Sequence, residues 1–348
     1  MSEAGSREPL RVAVVGAGYF ARYHLRAWQR IPGASLAAVC DVDRARLATV
    51  ADDCPHAARF DDLAHMLDAV RPDLVDIVTP PPSHLELVRT AAACGAFVVC
   101  QKPLAPTLDD ARAVVAAARS AGVGLAVHEN IRFTPWHREI GRLLRAGTLG
   151  RLHNITMRLR PGDGQGRDAY LARQPYFQRM PRFLVHETAI HWIDTFRYLG
   201  GEVRAVLAWL RRLNRFIAGE DAGHVLLALD GDVSALFDGN RLNGHPSDDP
   251  RRTMGEMWVE CEGGVIRLAG SGRLYLQPHG GEEREHPYAF ADREFAGDCV
   301  HALQSHLVAH LRDGAPLENA GADYLRNIEV EEAVYRSAAE GRWVRLDD

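Results

Sequence analysis

Several features that would place this chain in a specialised protein class are missing. The sequence has no C-x-x-C pair among its 6 cysteines, no H-E-x-x-H among its 16 histidines, and no apolar run as long as a membrane span. Its net charge of -5 and its scattered arginines provide no basic patch for nucleic acid. The first ten residues, MSEAGSREPL, are polar and contain no apolar signal core. We therefore expect a cytoplasmic protein with reduced thiols, no bound metal, and no nucleic-acid or membrane partner.

The first part of the chain alternates between apolar runs and alanine-rich segments. A chain of 348 residues is long enough for two domains. Its early apolar runs are residues 11–15, 36–40, 74–78, 97–100 and 124–127. The segments between them have helical composition, with Ser83 and Thr107 as expected N-caps. This alternation predicts an α/β fold with a doubly wound parallel sheet, a Rossmann domain over residues 1–128.

The chain after residue 151 has a different pattern. Strand-like runs follow one another with glycine-containing turns between them: 152–160, 203–213, 225–229, 233–237, 257–261, 265–268 and 274–276. Consecutive strands predict a largely antiparallel sheet. Helical segments are expected near 182–199, 297–312 and 324–340. We predict that residues 129–348 form an α+β domain whose open sheet has one face free for burial against another subunit, in a homodimer or homotetramer.

A glycine-rich turn follows the first apolar run. Residues 12–21 read VAVVGAGYFA, which places G-x-G-x-x-A at Gly16, Gly18 and Ala21, with Tyr19 and Phe20 inside the turn. A glycine at the first position permits a tight turn, the second lets the backbone approach a phosphate, and the small third residue lets helix pack on strand. The free N–H groups and positive dipole end of the following helix favour a pyrophosphate. The motif predicts a dinucleotide site.

Asp41 ends the second apolar run, and it favours NAD over NADP. A carboxylate at this position accepts hydrogen bonds from the ribose hydroxyls of NAD and repels the 2′-phosphate of NADP. Arg44 lies close by, and a guanidinium there could bind that phosphate if Asp41 turned away. We interpret Arg44 as a solvated helix residue.

Two later strands end in polar side chains. Ligands of doubly wound sheets bind beyond the carboxyl ends of the strands, so we expect Thr79, Pro80 and His84 to face the cofactor. The next strand ends at Gln101 and Lys102. From there the Lys102 ammonium could hold a substrate oxygen and help a proton to leave.

A third group of candidates occurs in the second domain. On a regular helix Glu187, His191 and Asp194 would project from one face, since they are spaced i,i+4 and i,i+3. His191 is suited to take a proton from an alcohol, and a carboxylate can orient its ring. The glycine-rich loop 160–170, together with Arg158, Gln174 and Tyr176, offers hydrogen-bonding groups that could close over a polyol; composition equally allows a disordered excursion.

Taken together these motifs resemble the Gfo/Idh/MocA family, which includes glucose-fructose oxidoreductase and inositol dehydrogenase. The motifs that carry the resemblance are the glycine loop, a T-P-x-x-x-H segment with an extra proline (residues 79–84), Gln101-Lys102-Pro103 in place of E-K-P, Asn130-x-Arg132-Phe133-x-Pro135, and residues 187–194 in place of D-x-G-x-H-x-x-D.

The resemblance implies a Rossmann domain, an α/β domain whose open sheet mediates oligomerisation, and NAD(P)-linked hydride transfer at the hydroxyl of a sugar, polyol or cyclitol. It also implies that Lys102 contacts substrate and nicotinamide, that His191 is the acid/base, that Glu187 is a substrate-site carboxylate, and that Lys102–Pro103 is a cis peptide. Beside these residues we predict that Asn130, Arg132, Asp194 and Tyr176 contact substrate.

Two departures from the family pattern affect the expected chemistry. Glu187 replaces aspartate, and its extra methylene moves the carboxylate by about one bond length, so the substrate differs in size or orientation. Gln101 replaces glutamate, which removes a negative partner of Lys102 and lowers the expected lysine pKa. The Q-K-P variant is similar to members that act on branched or simple aldoses.

The sequence leaves the activity open among three classes. The leading hypothesis is an NAD-dependent dehydrogenase acting on CH–OH groups, including the anomeric carbon of an aldose. The alternatives are a cofactor-retaining glycoside hydrolase or lyase that oxidises its substrate transiently, and a non-catalytic NAD-binding regulator.

Overall fold

A computed structural model describes residues 8–346 of the chain. Residues 1–7 and 347–348 lie outside the described residues. Residues 1–7 belong to the first ten residues, for which we expect no signal sequence. The chain folds into two compact units. The first runs to Asn130 and includes Val300–Leu325, and the second comprises Ile131–Cys299 and the chain from Arg326 onward.

The first unit contains a parallel sheet that orders its described strands as β3-β2-β1-β4-β5-β6. The strands are β1 (Leu10–Val15), β2 (Ala34–Cys40), β3 (Ala58–Phe60), β4 (Leu74–Ile77), β5 (Phe97–Gln101) and β6 (Leu125–His128). Its centre is fully buried, as expected for apolar runs covered on both faces. This order confirms the predicted doubly wound sheet. The sequence did not indicate β3, because two of its three side chains are exposed and it contains no apolar run.

Helices connect these strands. They are α1 (Ala21–Trp28), α2 (Arg44–Thr49), α3 (Leu63–Val70), α4 (His84–Ala93) and α5 (Leu108–Ser120). Thr107 caps α5 as expected, because its hydroxyl accepts from the N–H of Asp110. Ser83 precedes α4 but does not cap it. Its hydroxyl instead lies at hydrogen-bond distance from Pro80 O and Thr79 Oγ1, both at 2.8 Å, and so holds the turn after β4.

The second unit contains a mixed sheet whose described strands are ordered β14-β13-β12-β11-β7-β10-β9-β8-β15. The strands are β7 (Leu152–Leu159), β8 (Val203–Arg211), β9 (Ala222–Leu229), β10 (Ser234–Asn240), β11 (Gly255–Cys261), β12 (Gly264–Leu268), β13 (Leu274–Pro278), β14 (Arg284–His286) and β15 (Val344–Arg345). The sheet is mostly antiparallel as predicted, but β7 pairs in parallel with β10. This pair is possible because the chain leaves β7 through a helix before it returns, and parallel strands require such a crossover.

The helices of the second unit include one correction to the sequence prediction. They are α6 (Pro135–Arg145), α7 (Ile190–Gly200) and α8 (Pro250–Thr253), while α9 (Cys299–Asp313) lies mostly in the first unit and α10 (Gly321–Glu340) has residues in both. The single helix expected over 182–199 is instead a π-helical turn, Leu184–Ala189, followed by α7. The prediction of a regular helix through Glu187 was therefore wrong.

Residues 300–325 belong to the first unit, although the sequence assigns them to the second domain. The Val127 N–H donates to Asn319 O at 2.8 Å, and the Asn319 amide donates to Glu129 O at 2.8 Å. Tyr324 Oη donates to Glu129 Oε2 at 3.2 Å. These bonds extend the edge of the first sheet beside β6.

Candidate functional site

Gly16 is required by the protein's own packing. Its φ is +107°, and a Cβ built there would lie 2.4 Å from the carbonyl oxygen of Val78. Its N–H donates to Cys40 O at 2.7 Å, which holds the loop against the end of β2. Only glycine adopts this backbone without a clash.

Gly18 has a different environment. A Cβ at Gly18 would meet no atom of the described chain within 4 Å. Its φ does not lie in the left-handed region. The fold therefore does not itself demand glycine there, whereas the close approach of a phosphate would. Phe20, the N-cap residue of the following helix α1, forms no side-chain capping bond, and the helix begins at the buried Ala21. These features fit a pyrophosphate.

Asp41 binds the glycine loop. Its Oδ2 accepts from the N–H of Ala17 at 2.7 Å, and its Oδ1 accepts from the N–H of Asp43 at 2.9 Å. These bonds orient the carboxylate beside the loop and leave a second lone pair on each oxygen for ribose hydroxyls. Arg44 does not approach it but pairs with Asp61 at the surface. The arrangement fits NAD.

The aromatic residues of the loop lie beside α1. The rings of Tyr19 and Tyr23 meet edge to face at 6.3 Å, and those of Phe20 and His24 at 5.6 Å. Tyr19 is exposed. Its ring is therefore the more accessible of the two predicted loop aromatics.

His84 supports the end of β4. Its ring is fully buried, with Nε2 at 2.8 Å from Thr79 O and Nδ1 at 2.9 Å from Leu104 O. Burial lowers the pKa of His84, and these two backbone contacts only partly oppose that effect. The ring therefore ties Thr79 to the segment after β5, while Thr79 and Pro80 are the accessible members of this group.

Lys102 follows β5 directly. The Lys102–Pro103 bond is cis, which confirms the expectation from the resemblance. The Lys102 N–H donates to Gln101 Oε1 at 2.8 Å, and Gln101 Nε2 lies 3.1 Å from His24 Nε2. His24 in turn contacts Asp76 on β4 at 2.8 Å. The sequence did not single out His24 or Asp76, although an aspartate inside the apolar run of β4 is a detectable signal.

In the second unit Glu187 lies in the π-helical turn and His191 in the first turn of α7. A π-helical turn is wider than an α-helical turn, so the i,i+4 argument for a shared face does not hold. His191 is buried, and Glu187 is half-buried. Such π-helical turns are frequent at functional sites.

Tyr176 lies within electrostatic reach of Glu187. Burial raises the pKa of Tyr176, and the charge of Glu187 raises it further. The Tyr176 hydroxyl accepts from Gln174 Nε2 at 3.1 Å, and the residue is 53% exposed. Two of the predicted substrate-site residues therefore lie within electrostatic reach of each other, and the Tyr176 residue is partly exposed although its hydroxyl is desolvated.

Two other predicted substrate residues bind each other. Arg132 donates to both oxygens of Asp194, at 2.6 and 2.5 Å, and the Asn327 amide donates to Asp194 Oδ1 at 2.8 Å. The Asp194 side chain is 1% exposed. Asp194 therefore orients Arg132 and has no exposed edge for a hydroxyl. Asn130, at the end of the first unit, is also buried.

The π-helical turn is held by residues that the sequence did not indicate. Glu220 Oε1 accepts from the N–H groups of Phe183 and Val185, both at 3.1 Å. It also accepts from the Tyr335 hydroxyl at 2.7 Å, and that hydroxyl accepts from the His186 N–H at 3.3 Å. These partners come from distant parts of the chain, so no local pattern reveals them.

The glycine-rich loop after β7 is held in place by side chains from later segments of the second unit. Asp163 pairs with Arg241 at 2.6 Å, and Arg241 donates to Thr188 Oγ1 at 2.7 Å. The Asn214 amide donates to the carbonyls of Gly164 and Gly166, both at 2.8 Å. The structure therefore contradicts the alternative that the loop 160–170 is disordered.

Two negative findings concern residues 8–346. No three His, Cys, Asp or Glu side chains cluster in a way that could hold a metal ion. None of the helices in the same range has the length and apolar character needed to cross a membrane.

Comparison with known proteins assigns the chain to a family. Residues 10–129 match the model of an oxidoreductase family with an NAD-binding Rossmann fold, and residues 137–267 match the GFO/IDH/MocA C-terminal domain. This chain is a member of the Gfo/Idh/MocA oxidoreductase family. Its NAD-binding fold and oxidoreductase class, expected from the sequence, are thereby confirmed.

Gfo/Idh/MocA relatives cover nearly the whole chain. A D-apiose dehydrogenase of Paraburkholderia graminis is 38% identical over 96% of this chain and 89% of its own. A D-apiose dehydrogenase of Rhizobium rhizogenes is 32% identical over 97% of both. A crystal structure of an Agrobacterium radiobacter oxidoreductase in complex with NAD+, L-tartaric acid and magnesium is 31% identical, with a TM-score of 0.87 over 97% of this chain and 98% of that one.

Proposed function

We propose that this protein is an NAD-dependent dehydrogenase that oxidises a hydroxyl of a small aldose, with D-apiose or a similar sugar as first candidate. The observation that carries the proposal is the 38% identity to a D-apiose dehydrogenase over almost the full length. The geometry supports it, because Asp41 is bound to a glycine loop that fits a pyrophosphate. Tyr176, a partly exposed residue within electrostatic reach of Glu187, suits a polyhydroxylated ligand.

The catalytic roles follow from chemistry. Bound NAD would accept the hydride from the carbon that is oxidised. His191 takes the hydroxyl proton, because an imidazole ring nitrogen can act as a general base. The Lys102 ammonium steadies the substrate oxygen, and Glu187 and Tyr176 orient neighbouring hydroxyls. Arg132, oriented by Asp194, completes the proposed set of substrate residues with Asn130.

The test is a panel of aldoses, cyclitols and glycosides assayed for reduced cofactor, with NAD and NADP in parallel. We expect turnover with D-apiose or another small aldose and a preference for NAD. An aryl glycoside cleaved without added NAD would favour a cofactor-retaining hydrolase instead. NAD binding with no turnover across the panel would favour a regulator.

His191→Asn and Lys102→Met test the assigned roles. Loss of one general acid/base typically reduces turnover by about 10²–10⁴-fold. We therefore expect such a loss for His191→Asn with NAD affinity retained. His279→Asn is a matched control, since His279 lies on an exposed turn of the second unit. Equal turnover of wild type and His191→Asn would remove His191 from the mechanism.

We further propose that the chain forms a homo-oligomer through the second sheet. On one face of the adjacent strands β8, β9 and β10 the cross-strand side chains Leu207, Leu226 and Leu236 are only half-buried, and Trp209 on β8 is 59% exposed. An apolar row that is left this accessible on a sheet is typical of a subunit interface. Light scattering should give a mass that is a multiple of the monomer, and Leu226→Glu should lower it.

We also propose that the protein works in the cytoplasm. All six cysteines are free, and five of them are buried. Buried, unpaired thiols are typical of a reducing compartment.

A further inference from the structure

A buried polar network connects the glycine-loop helix with the lysine strand, and no role proposed above uses it. Its hydrogen-bonded members all lie within the first unit: His24 and Trp28 of α1, Asp76 of β4, Gln101 of β5 and Gln304 of α9, with the ring of His128 of β6 packed against His24. Each of these six residues is at most 9% exposed. Buried polar groups at this density need defined partners.

The backbone N–H of Lys102 determines the direction of the hydrogen bonds that lead through Gln101 to His24. The Lys102 N–H can only donate, so the Gln101 atom that it meets at 2.8 Å is the amide oxygen. The Gln101 amide nitrogen, a donor, therefore faces His24 Nε2 at 3.1 Å. Nε2 must then be an acceptor, which places the ring proton on Nδ1.

The other side of His24 agrees with this assignment. His24 Nδ1 lies 2.8 Å from Asp76 Oδ2, and the carboxylate requires a donor there. Trp28 Nε1 donates to the same oxygen at 2.7 Å, and Gln304 Nε2 lies 3.4 Å from it. The chain of bonds thus runs in one direction, from the Lys102 N–H and Gln101 to His24 and Asp76.

We propose that Gln101 is a positioning residue. Its amide keeps His24 in the neutral Nδ1-protonated form. Through this amide the buried Asp76–His24 pair holds the main chain of Lys102. The proposal rests on the proposed role of Lys102 in catalysis. The residue type matters because a glutamate at this position would offer only acceptors. It could bind both the Lys102 N–H and His24 only if His24 carried a second proton.

The titratable groups around the His24–Asp76 pair come from three strands. Asp76 lies on β4 and His128 on β6, with the His128 and His24 rings 4.1 Å apart. Burial and the neighbouring His24 lower the pKa of His128 to about 3, so this ring is neutral at physiological pH. Burial raises the pKa of Cys100 on β5 well above its ordinary value, so that thiol is neutral as well. Asp76 is therefore the anion that His24 meets in the wild type.

The lock can be tested without any enzyme assay. Nitrogen NMR of the full-length protein labelled with 15N-histidine, with His24→Asn to assign the signals, reports which ring nitrogen carries the proton. We expect the Nδ1-protonated neutral ring in the wild type and a doubly protonated ring in Gln101→Glu. A wild-type His24 protonated on Nε2, or the same state in both proteins, would overturn the proposal.

Kinetics test the effect on Lys102. A misplacement of about 1 Å can cost 10²-fold in turnover. We expect Gln101→Leu to lose about 10- to 100-fold in kcat, with KM and NAD affinity changed by less than about threefold.

The control is Gln29→Leu, which removes an amide from the exposed end of α1. Unchanged kcat in Gln101→Leu, in a protein as stable as the control, would overturn the positioning role. If the wild type oxidises none of the sugars, the proposed function has failed, and the NMR experiment alone then decides whether the His24 lock exists.

Discussion

The two glycines of the dinucleotide loop are required by different partners. At Gly16 the partner is the protein, because a Cβ would lie 2.4 Å from Val78 O and φ is +107°. At Gly18 no atom of the described chain lies within 4 Å of a built Cβ. Gly16→Ala should therefore destabilise the fold by about 1–3 kcal/mol, the usual cost of a strained backbone. Gly18→Ala should leave stability unchanged and weaken NAD binding about tenfold or more, a loss of about 1.4 kcal/mol.

Thermal unfolding and calorimetric titration with NAD separate the two effects. Gly147→Ala would not serve as a control because φ there is +64°, whereas Gly244, with open space and no positive φ, does. If Gly18→Ala lowered the melting temperature as much as Gly16→Ala, the distinction between fold and ligand would be incorrect.

The sequence identified Asp194 as a candidate site carboxylate, but it could not identify the role of Asp194 as the ion-pair partner of Arg132. The spacing from His191 suggested a substrate carboxylate, but both oxygens of Asp194 bind Arg132. Breaking a buried ion pair from one side typically costs about 3–5 kcal/mol. We expect Asp194→Asn to lower the free energy of unfolding by an amount near the lower end of that range, because the amide oxygen still accepts one hydrogen bond.

Denaturant unfolding of Asp194→Asn provides the measurement. Asp109→Asn is a matched control, because Asp109 is 93% exposed in a surface pair with Arg112, and such pairs contribute about 0–1 kcal/mol. A raised KM for sugar in a fully stable Asp194→Asn would instead support direct contact with substrate.

Among the secondary-structure elements, the π-helical turn before α7 depends on a bond from α10. The Tyr335 hydroxyl accepts from the His186 N–H and donates to Glu220, which itself accepts from two further N–H groups of the turn. A buried donor without a partner costs about 1–3 kcal/mol. We expect Tyr335→Phe to destabilise the protein by that amount and to lower kcat, because the turn carries Glu187.

Tyr275→Phe is the control for the loss of a hydroxyl, since Tyr275 contacts Arg267 through the face of its ring. Unfolding and steady-state kinetics are measured on both variants. A fully active Tyr335→Phe would mean that the geometry of the turn does not limit catalysis.

Elements with a regular hydrophobic period were predictable from the sequence, and elements set by distant partners were not. The buried strands β1, β4 and β5 are apolar runs, and a glycine loop followed by Asp41 is a local pattern. The π-helical turn is different, because Glu220 and Tyr335 lie far from it in sequence. The insertion of β7 between β10 and β11 is likewise a tertiary pairing without a local signature.

For the candidate site the same distinction holds. Lys102 and His191 were singled out by motif, whereas the burial of His84 and the bonds of His24 to Gln101 and Asp76 required coordinates. Composition could not place the loop 160–170 either, since its anchor Arg241 lies 78 residues after Asp163 in the chain.

For the whole molecule, the first unit is completed by a segment from near the end of the chain. Asn319 binds the main chain of Val127 and Glu129, and Gln304 reaches Asp76 in the buried network. A fragment that ends at residue 130 would leave the buried side chains beside β6 exposed. Burial of apolar surface stabilises by about 25 cal/mol per Å², so the loss of one packed helix, α9, is large compared with the usual stability of a domain.

We therefore expect residues 1–130 alone to aggregate or to bind no NAD. A second fragment, in which a flexible glycine–serine linker joins residue 130 to residues 300–325, should be monomeric, show a cooperative thermal transition and bind NAD. Circular dichroism and titration with NAD compare the two. A stable, NAD-binding 1–130 fragment would instead support the domain boundary at residue 128 that the sequence predicts, because the returning segment would then be dispensable for the Rossmann unit.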